Sequence, residues 1–133
     1  MKEKNGGWIF ERHGGGRKHG WRQAFAGNEK PARNQIYLTH TMMSQGGVRL
    51  LNPAGVIVQA WWRRHAPGAE AKRIRFCIGC GCDDNHACQD PLTEEGCSWI
   101  EADSRTATGV CSCCPGALKR WRTGDRILRA HRT

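Results

Sequence analysis

The sequence predicts a mostly β protein with short helices, in which a small antiparallel sheet or partly open barrel precedes a metal-stapled, cysteine-rich segment. Three observations lead to this fold class. Runs rich in Trp, Ile and Val alternate with turn residues through the first half of the chain. All eight cysteines lie between Cys77 and Cys114. The last stretch, residues 115–133, holds six Lys or Arg and one Asp, which is typical of a short basic helical tail.

The first half of the chain contains several strand-like runs. Residues 8–13 and 21–26 predict two strands around a Gly-rich turn, and residues 36–42 predict a third. The clearest local pattern is the hairpin of residues 48–51 and 56–61. The intervening Asn-Pro-Ala-Gly places Asn, Pro and Gly where a type I turn favours them.

Changes in composition predict three segments along the chain. An Ala-Pro-Gly-Ala break at residues 66–69 separates a small β domain, residues 1–66, from a zinc-binding segment, residues 67–114. Residues 115–133 form the basic C-terminal tail. Residues 72–76 predict a short strand that leads into the first cysteine pair. Residues 117–121 and 125–131 predict two short helices within the tail.

Two Cys-x-x-Cys pairs, Cys77/Cys80 and Cys111/Cys114, stand thirty residues apart. A short turn can direct two thiolates at one ion, and two such turns complete a tetrahedron around Zn²⁺ at about 2.3 Å. In a chain of 133 residues, whose core is small, such a site adds substantially to the stability of the fold. The spacing therefore predicts a structural zinc site.

The remaining thiols leave room for a second ion. Cys82, Cys88 and Cys97 would bind it together with Cys113 or His86, and the alternative for Cys113 is a buried thiol without a ligand role. The cofactor is thus one or two Zn²⁺ ions, with an iron–sulfur cluster as the alternative. We assign no catalytic residue. The His-x-Glu and Pro-Cys-x-x-Cys pattern of zinc deaminases is absent.

The cysteine spacing also carries a resemblance. It comprises Cys77-x₂-Cys80-Gly-Cys82, then Cys88, then Gly96-Cys97-x-Trp99, then Cys111-x₂-Cys114. Over residues 76–114 this resembles a cysteine-rich module of small uncharacterised phage and prophage proteins. Here, residues 89–95 lengthen one gap and Cys113 is an additional thiol. The resemblance implies a phage or mobile-element origin and a bound metal, and it implies no reaction.

Charge is unevenly distributed along the chain. Residues 1–76 hold 14 Lys or Arg and 4 Asp or Glu, whereas residues 77–114 hold 1 and 7. The cysteine segment is therefore acidic even before its thiolates are counted. A polyanion such as nucleic acid would meet the basic flanks instead.

Several tryptophans precede arginine, a pattern that suits stacking on bases beside phosphate contacts. Trp21-Arg22, Trp62-Arg63-Arg64 and Trp121-Arg122 show it. The candidate residues for binding nucleic acid or another partner are Arg17, Lys18, Arg22, Arg63, Arg64, Lys119, Arg120, Arg122, Arg126 and Arg129. On a helix, Arg122, Arg126 and Arg129 would share one face.

We expect a reducing cytoplasm, that of the host cell if the protein is phage-encoded. No apolar run is long enough to span a bilayer, and the first residues lack the apolar stretch of a signal peptide. Clustered cysteines in such a compartment are more often metal ligands than disulfides.

Three functions compete at this point. The first is a non-enzymatic, zinc-binding phage or mobile-element protein whose basic flanks bind nucleic acid or a nucleoprotein complex. The second is an inhibitor or adaptor that binds a host protein, for example an anti-defence protein such as an anti-CRISPR acting on a nuclease complex. The third is a metal-dependent nuclease, which would need more histidines between the cysteine pairs than His86 alone.

Overall fold

The computed structural model describes residues 6–14, 20–84, 96–103 and 107–128. It confirms the predicted mostly β fold. The chain divides into two compact units, Met1–Arg73 and Ile74–Thr133, here called the N-terminal and C-terminal units. The predicted break at residues 66–69 lies shortly before this division, and the predicted tail falls in the C-terminal unit together with the cysteine segment.

The N-terminal unit is a five-stranded antiparallel sheet with one helix. Its strands run in the order β2-β1-β3-β4-β5. Their bounds are β1 (Trp8–His13), β2 (Trp21–Gly27), β3 (Gly46–Leu51), β4 (Ile57–Arg63) and β5 (Lys72–Arg73), and the helix α1 spans Glu29–Met42. Of the two predicted forms, this unit adopts the antiparallel sheet and not the partly open barrel.

The predicted hairpin between β3 and β4 is confirmed. The Asn52 side chain fixes the turn, because its Oδ1 accepts the N–H groups of Ala54 and Val56, each at 3.0 Å. Gly55 has a φ of 92°, a left-handed conformation that glycine adopts without steric cost. Local turn chemistry therefore sets the register of the central strand pair.

The strand predicted over residues 36–42 is wrong, because this segment is the second half of α1. Ala32 and Ile36 are four residues apart and both are fully buried, so they form the face that packs on the sheet. With Met43 they join the cluster of Trp8, Phe10, Val48 and Leu50. The β-branched and aromatic residues that suggested a strand include Tyr37, which lies on the exposed side of the helix.

The opposite side of the sheet holds a buried ion pair. Arg49 Nε donates to Glu11 Oε1 at 2.7 Å, and the guanidinium lies 4.3 Å from the ring centre of Trp21.

Successive strand residues point to opposite faces, which predicts that the side chains of Trp61 and Trp62 lie on opposite faces of the sheet. Trp61 stacks on His40 of α1 at 4.1 Å, whereas Trp62 contacts His13 at 5.1 Å.

The C-terminal unit has a small mixed sheet in the order β6-β8-β7. Its elements are β6 (Phe76–Cys77), β7 (Trp99–Asp103), β8 (Thr108–Cys111), a 3₁₀ turn (Pro115–Ala117) and α2 (Leu118–Arg122). β8 pairs in parallel with β6 and antiparallel with β7. Trp121 of α2 packs with Ile78 and Val110, and its indole donates to Thr108 Oγ1 at 3.1 Å.

The second helix predicted in the tail, residues 125–131, is not present in its described part. α2 ends at Arg122, and Gly124 follows with a φ of 105°. The Arg120 guanidinium donates to the carbonyl of Ile127 at 3.1 Å, which holds the chain in a turn back toward α2. Arg126 therefore lies beyond the helix and shares no helical face with Arg122. Arg129 lies outside the described residues.

No helix among the described residues is both long and apolar enough to cross a membrane.

Candidate metal centre

Four cysteines meet where two strands end. Cys77 closes β6 and Cys111 closes β8, and these strands are parallel neighbours. Each begins a Cys-x-x-Cys turn, so Cys80 and Cys114 return to the same place. The four Sγ atoms all lie within 4.8 Å of one another, and those of Cys80 and Cys111 are 3.8 Å apart. This four-cysteine group can hold a metal ion such as zinc.

Backbone amides turn toward the sulfur of Cys77. The N–H groups of Gly79 and Cys111 donate to Cys77 Sγ at 3.3 Å and 3.4 Å. Gly81 adopts a φ of 86° and donates to the Cys77 carbonyl at 2.8 Å, which closes the first turn. Such N–H···S bonds are typical of thiolates that bind metal, because they stabilise the charged form of sulfur.

Gly79 is required at its position by close packing. A Cβ built on it would lie 2.7 Å from the Cβ of Cys114 and 2.8 Å from its Sγ. Carbon atoms in proteins do not approach this closely, so any side chain there would displace Cys114 from the group.

The thiols differ strongly in how readily they ionise. Burial opposes ionisation of Cys77, but three backbone N–H donors outweigh burial and lower its pKa to about 7. Burial, with the charge on Cys77, raises the pKa of Cys114 to about 12 and raises the pKa of Cys111 above its usual range. The charge of one thiolate thus disfavours ionisation of the neighbouring thiols. A divalent cation reverses that repulsion and favours all four charged sulfurs.

A second group of three thiols adjoins the first. The Sγ atoms of Cys82, Cys97 and Cys111 lie within 4.8 Å of one another, and those of Cys82 and Cys97 are 3.6 Å apart. Cys111 belongs to both groups.

A polar network fixes the loops that carry Cys82 and Cys97. Asp84 accepts the Arg75 backbone N–H at 2.7 Å and its guanidinium at 3.0 Å, and it accepts the Trp99 indole N–H at 2.8 Å. Burial opposes ionisation of Asp84, but these donors lower its pKa below the usual value. Because Asp84 and Trp99 each lie two residues beyond a cysteine, their hydrogen bond holds the two loops together.

The other candidate ligands were Cys113, His86 and Cys88. Cys113 is exposed and belongs to neither group, so the alternative of a buried thiol at this position is wrong. It is a middle residue of the Cys111–Cys114 turn. His86 and Cys88 lie outside the described residues.

Four of the predicted binding residues make internal bonds. Arg63 donates to the Met43 carbonyl at 2.8 Å, and Arg120 donates to the Ile78 carbonyl at 3.0 Å. In the C-terminal unit Arg122 pairs with Glu101 and Arg126 pairs with Asp103. The remaining described candidates, all with exposed side chains, are Arg22, Arg64 and Lys119. Arg17, Lys18 and Arg129 lie outside the described part.

Sequence reasoning missed two surface features of the N-terminal unit. Arg12 is exposed and directly opposite Arg22 in the β1–β2 register, and both line a surface depression. The sequence pattern that could have identified Arg12 is strand alternation, which places it on the same face as Trp8 and Phe10 and near the end of β1. The second feature is the outer face of α1, where Leu38 and Met42 are 54% and 79% exposed.

Comparison with protein-family models, with curated proteins and with solved structures found no match for this chain.

Proposed function

We propose that this protein is a non-enzymatic, zinc-stapled protein of a phage or mobile element, and that its N-terminal unit binds nucleic acid, free or within a nucleoprotein complex. The observation that carries the proposal is how charge divides between the units. The N-terminal unit holds 13 Lys or Arg and 4 Asp or Glu, whereas the C-terminal unit holds 8 and 8. All of the net charge of +9 therefore belongs to the N-terminal unit.

Zinc is the metal that the sulfur geometry favours. Four thiolates at about 2.3 Å from one ion lie roughly 3.8 Å apart along each tetrahedron edge. The Sγ atoms of Cys80 and Cys111 are 3.8 Å apart. In an iron–sulfur cluster the cysteines bind different iron ions, so four sulfurs are not all close neighbours. Four protein thiolates also fill the tetrahedron, which supports a structural rather than a catalytic role.

The described arginines of the C-terminal unit make bonds within the fold. Arg122 and Arg126 each pair with a carboxylate of β7. Thiolates around one Zn²⁺ add further negative charge to this unit. A polyanion is therefore attracted to the N-terminal unit and not to the metal centre.

The N-terminal unit offers a basic surface where β1 ends and β2 begins. Arg12 and Arg22 face each other across the strand pair and are exposed. Arg17 and Lys18 lie in the sequence between them. Adjacent cations at a strand end suit phosphates of a nucleic-acid backbone, which are contacted without regard to base sequence.

The cellular location follows from the sulfur chemistry. None of the described cysteines forms a disulfide, and clustered thiolates that bind metal are typical of a reducing compartment. We therefore place the protein in the cytoplasm, which is that of the host if the protein is phage-encoded. The phage origin rests on the resemblance in cysteine spacing.

A salt titration tests the proposed function. The zinc-loaded chain is titrated against fluorescent single-stranded and double-stranded DNA at several salt concentrations. We expect binding at low salt that weakens steeply as salt rises, because each phosphate contact releases a counterion. Absence of binding at low salt to both DNA forms, and to RNA, would contradict the proposal.

A second function is favoured by the exposed apolar face of α1. Tyr37, Leu38 and Met42 are 63%, 54% and 79% exposed, which is typical of a surface that meets another protein. On this hypothesis the protein inhibits or bridges a host complex, such as a nuclease of a defence system. Replacing Leu38 and Met42 by Ser would then abolish inhibition of the purified nuclease, whereas Arg12→Gln with Arg22→Gln would not.

A further inference from the structure

The proposed zinc site uses four of the eight cysteines, and the structure places two more against it. Cys82 is buried and Cys97 is half-buried, so neither is an ordinary surface thiol. Cys111 is the described thiol common to both groups, and its Sγ lies within 4.8 Å of every other sulfur in each.

We infer that Cys111 bridges two metal ions, so that the C-terminal unit holds a dinuclear thiolate centre. The inference rests on the proposed zinc site, which supplies the first ion. The second is a soft divalent cation of the same class, bound by Cys82, Cys97 and the shared sulfur of Cys111. Without the shared sulfur of Cys111 the second group would contain only two thiols, so the second ion depends on Cys111 as a ligand.

The sulfur distances suit a metal and not a disulfide. Cys82 and Cys97 have their Sγ atoms 3.6 Å apart, near the roughly 3.8 Å edge of a zinc–thiolate tetrahedron and far from the disulfide bond length of about 2.05 Å. Within this part of the chain the two thiols are placed as ligands of one ion would be.

The protein fixes this arrangement by bonds of the two residues that follow Cys97. Ser98 donates its N–H to Ser112 Oγ at 3.1 Å, and the Ser112 N–H donates to the Ser98 carbonyl at 2.6 Å. These bonds bring the residue after Cys97 beside the residue after Cys111. The next residue, Trp99, donates its indole N–H to Asp84, and this bond joins the loops of Cys82 and Cys97. Ligands held by such a surrounding shell are the usual feature of a built metal site.

The two groups together bring six thiols into one cluster, and three of them, Cys77, Cys82 and Cys111, are buried. A shared sulfur allows both ions to be bound within the space that the two groups occupy.

The test is cadmium NMR on the full chain. Metal-free protein, prepared under reducing conditions, is reconstituted with ¹¹³Cd²⁺, which binds thiolate sites in place of zinc. We expect two ¹¹³Cd resonances in the range of sulfur-rich sites, each split by coupling to the other through the shared sulfur. Two unsplit resonances, or a single one, would overturn the bridge while leaving the first site intact. No resonance in that range would overturn the proposed zinc site as well.

Variants assign the second ion to its ligands. Cys82→Ser and Cys97→Ser should each leave one unsplit resonance, whereas Cys113→Ser, a matched change of an exposed neighbouring thiol, should leave both resonances coupled. Cys111→Ser removes a ligand of both ions and is expected to unfold the unit, so the other variants carry the test. A mass lower by two hydrogens, mapped to a Cys82–Cys97 disulfide in protein isolated from cells, would also overturn the inference.

Discussion

The core of the N-terminal unit consists of apolar side chains, whereas the C-terminal unit has a cluster of cysteines beside its small apolar core. In the first, α1 packs Ala32 and Ile36 onto a five-stranded sheet. In the second, a three-stranded sheet contains only short strands, and Cys77, Cys82 and Cys111 form a core cluster of their own. A unit with so little sheet depends on a ligand for stability, because small cores supply few kcal/mol by packing.

The charges of the two units differ in the same way. In the described part of the C-terminal unit arginines pair with carboxylates, as in the Arg126–Asp103 pair at 3.1 Å. In the N-terminal unit basic residues are in large excess, and several face solvent. The comparison teaches that the described arginines of one unit are used within the fold, while the other unit carries an excess of basic residues, several of them exposed.

Removing the metal should have the largest effect, and it should fall on one unit. A structural zinc contributes on the order of 10 kcal/mol to folding, so chelation or Cys77→Ser should unfold the C-terminal unit. Methyl NMR signals of Val110 should collapse while those of Ile36 stay dispersed. A native melting profile for Cys77→Ser would show that this thiol holds no metal.

The complementary change acts on the hydrocarbon core. Ile36→Ala deletes a fully buried side chain in α1 and should lower the free energy of unfolding of the N-terminal unit by about 2–5 kcal/mol. Denaturant titration measures this loss, and elemental analysis should show unchanged zinc. Tyr37→Ala, one residue on and exposed, serves as the control and should cost far less. Loss of zinc from Ile36→Ala would show that the metal centre depends on the apolar core of the N-terminal unit, contrary to this account.

A smaller effect is expected where the first cysteine turn meets Cys114. Gly79→Ala introduces a Cβ 2.8 Å from Cys114 Sγ and should lower stability by about 1–3 kcal/mol through overcrowding. Gly116→Ala is the matched control, since its Cβ would meet nothing within 4 Å. Competition with a chromogenic chelator should show weaker zinc retention for the first variant alone. Equal retention in both would mean that Cys114 is not a ligand.

The smallest effect on stability should accompany the clearest effect on binding. Arg12→Gln and Arg22→Gln change exposed side chains, so the melting temperature should hardly change. Each should weaken DNA binding at low salt and reduce the slope of log affinity against log salt by about 1 for each phosphate that is no longer neutralised. Arg122→Gln, an arginine paired within the C-terminal unit, should leave the slope unchanged. A reduced slope for Arg122→Gln, with unchanged slopes for Arg12→Gln and Arg22→Gln, would instead place the binding surface on the C-terminal unit.

Sequence alone predicted the features that depend on neighbouring residues. The turn at Asn52 and Gly55 follows from the conformations that these residues favour, and the hairpin formed as expected. The two Cys-x-x-Cys turns follow from ligand geometry in the same way, and the structure brings both pairs together.

Sequence reasoning failed where distant residues decide the structure. Residues 36–42 have β-rich composition, yet the burial of Ala32 and Ile36 against the sheet makes the segment helical. The pairing of Arg122 with Glu101 joins residues far apart in sequence, so the basic helical tail was predicted as a segment separate from the cysteine segment. Likewise, nothing in the cysteine spacing indicates that Cys111 lies beside Cys82 and Cys97, because strand pairing of β7 and β8 brings them together.

Metal content of the purified, folded protein tests the central claim most directly. The chain is isolated under reducing conditions without added metal, and zinc, iron and protein are quantified in one sample whose fold is checked by NMR. The account predicts at least one zinc ion per chain, which is lost together with the structure of the C-terminal unit on chelation. A folded protein without metal, or one whose Cys77 and Cys111 are joined in disulfides, would contradict it.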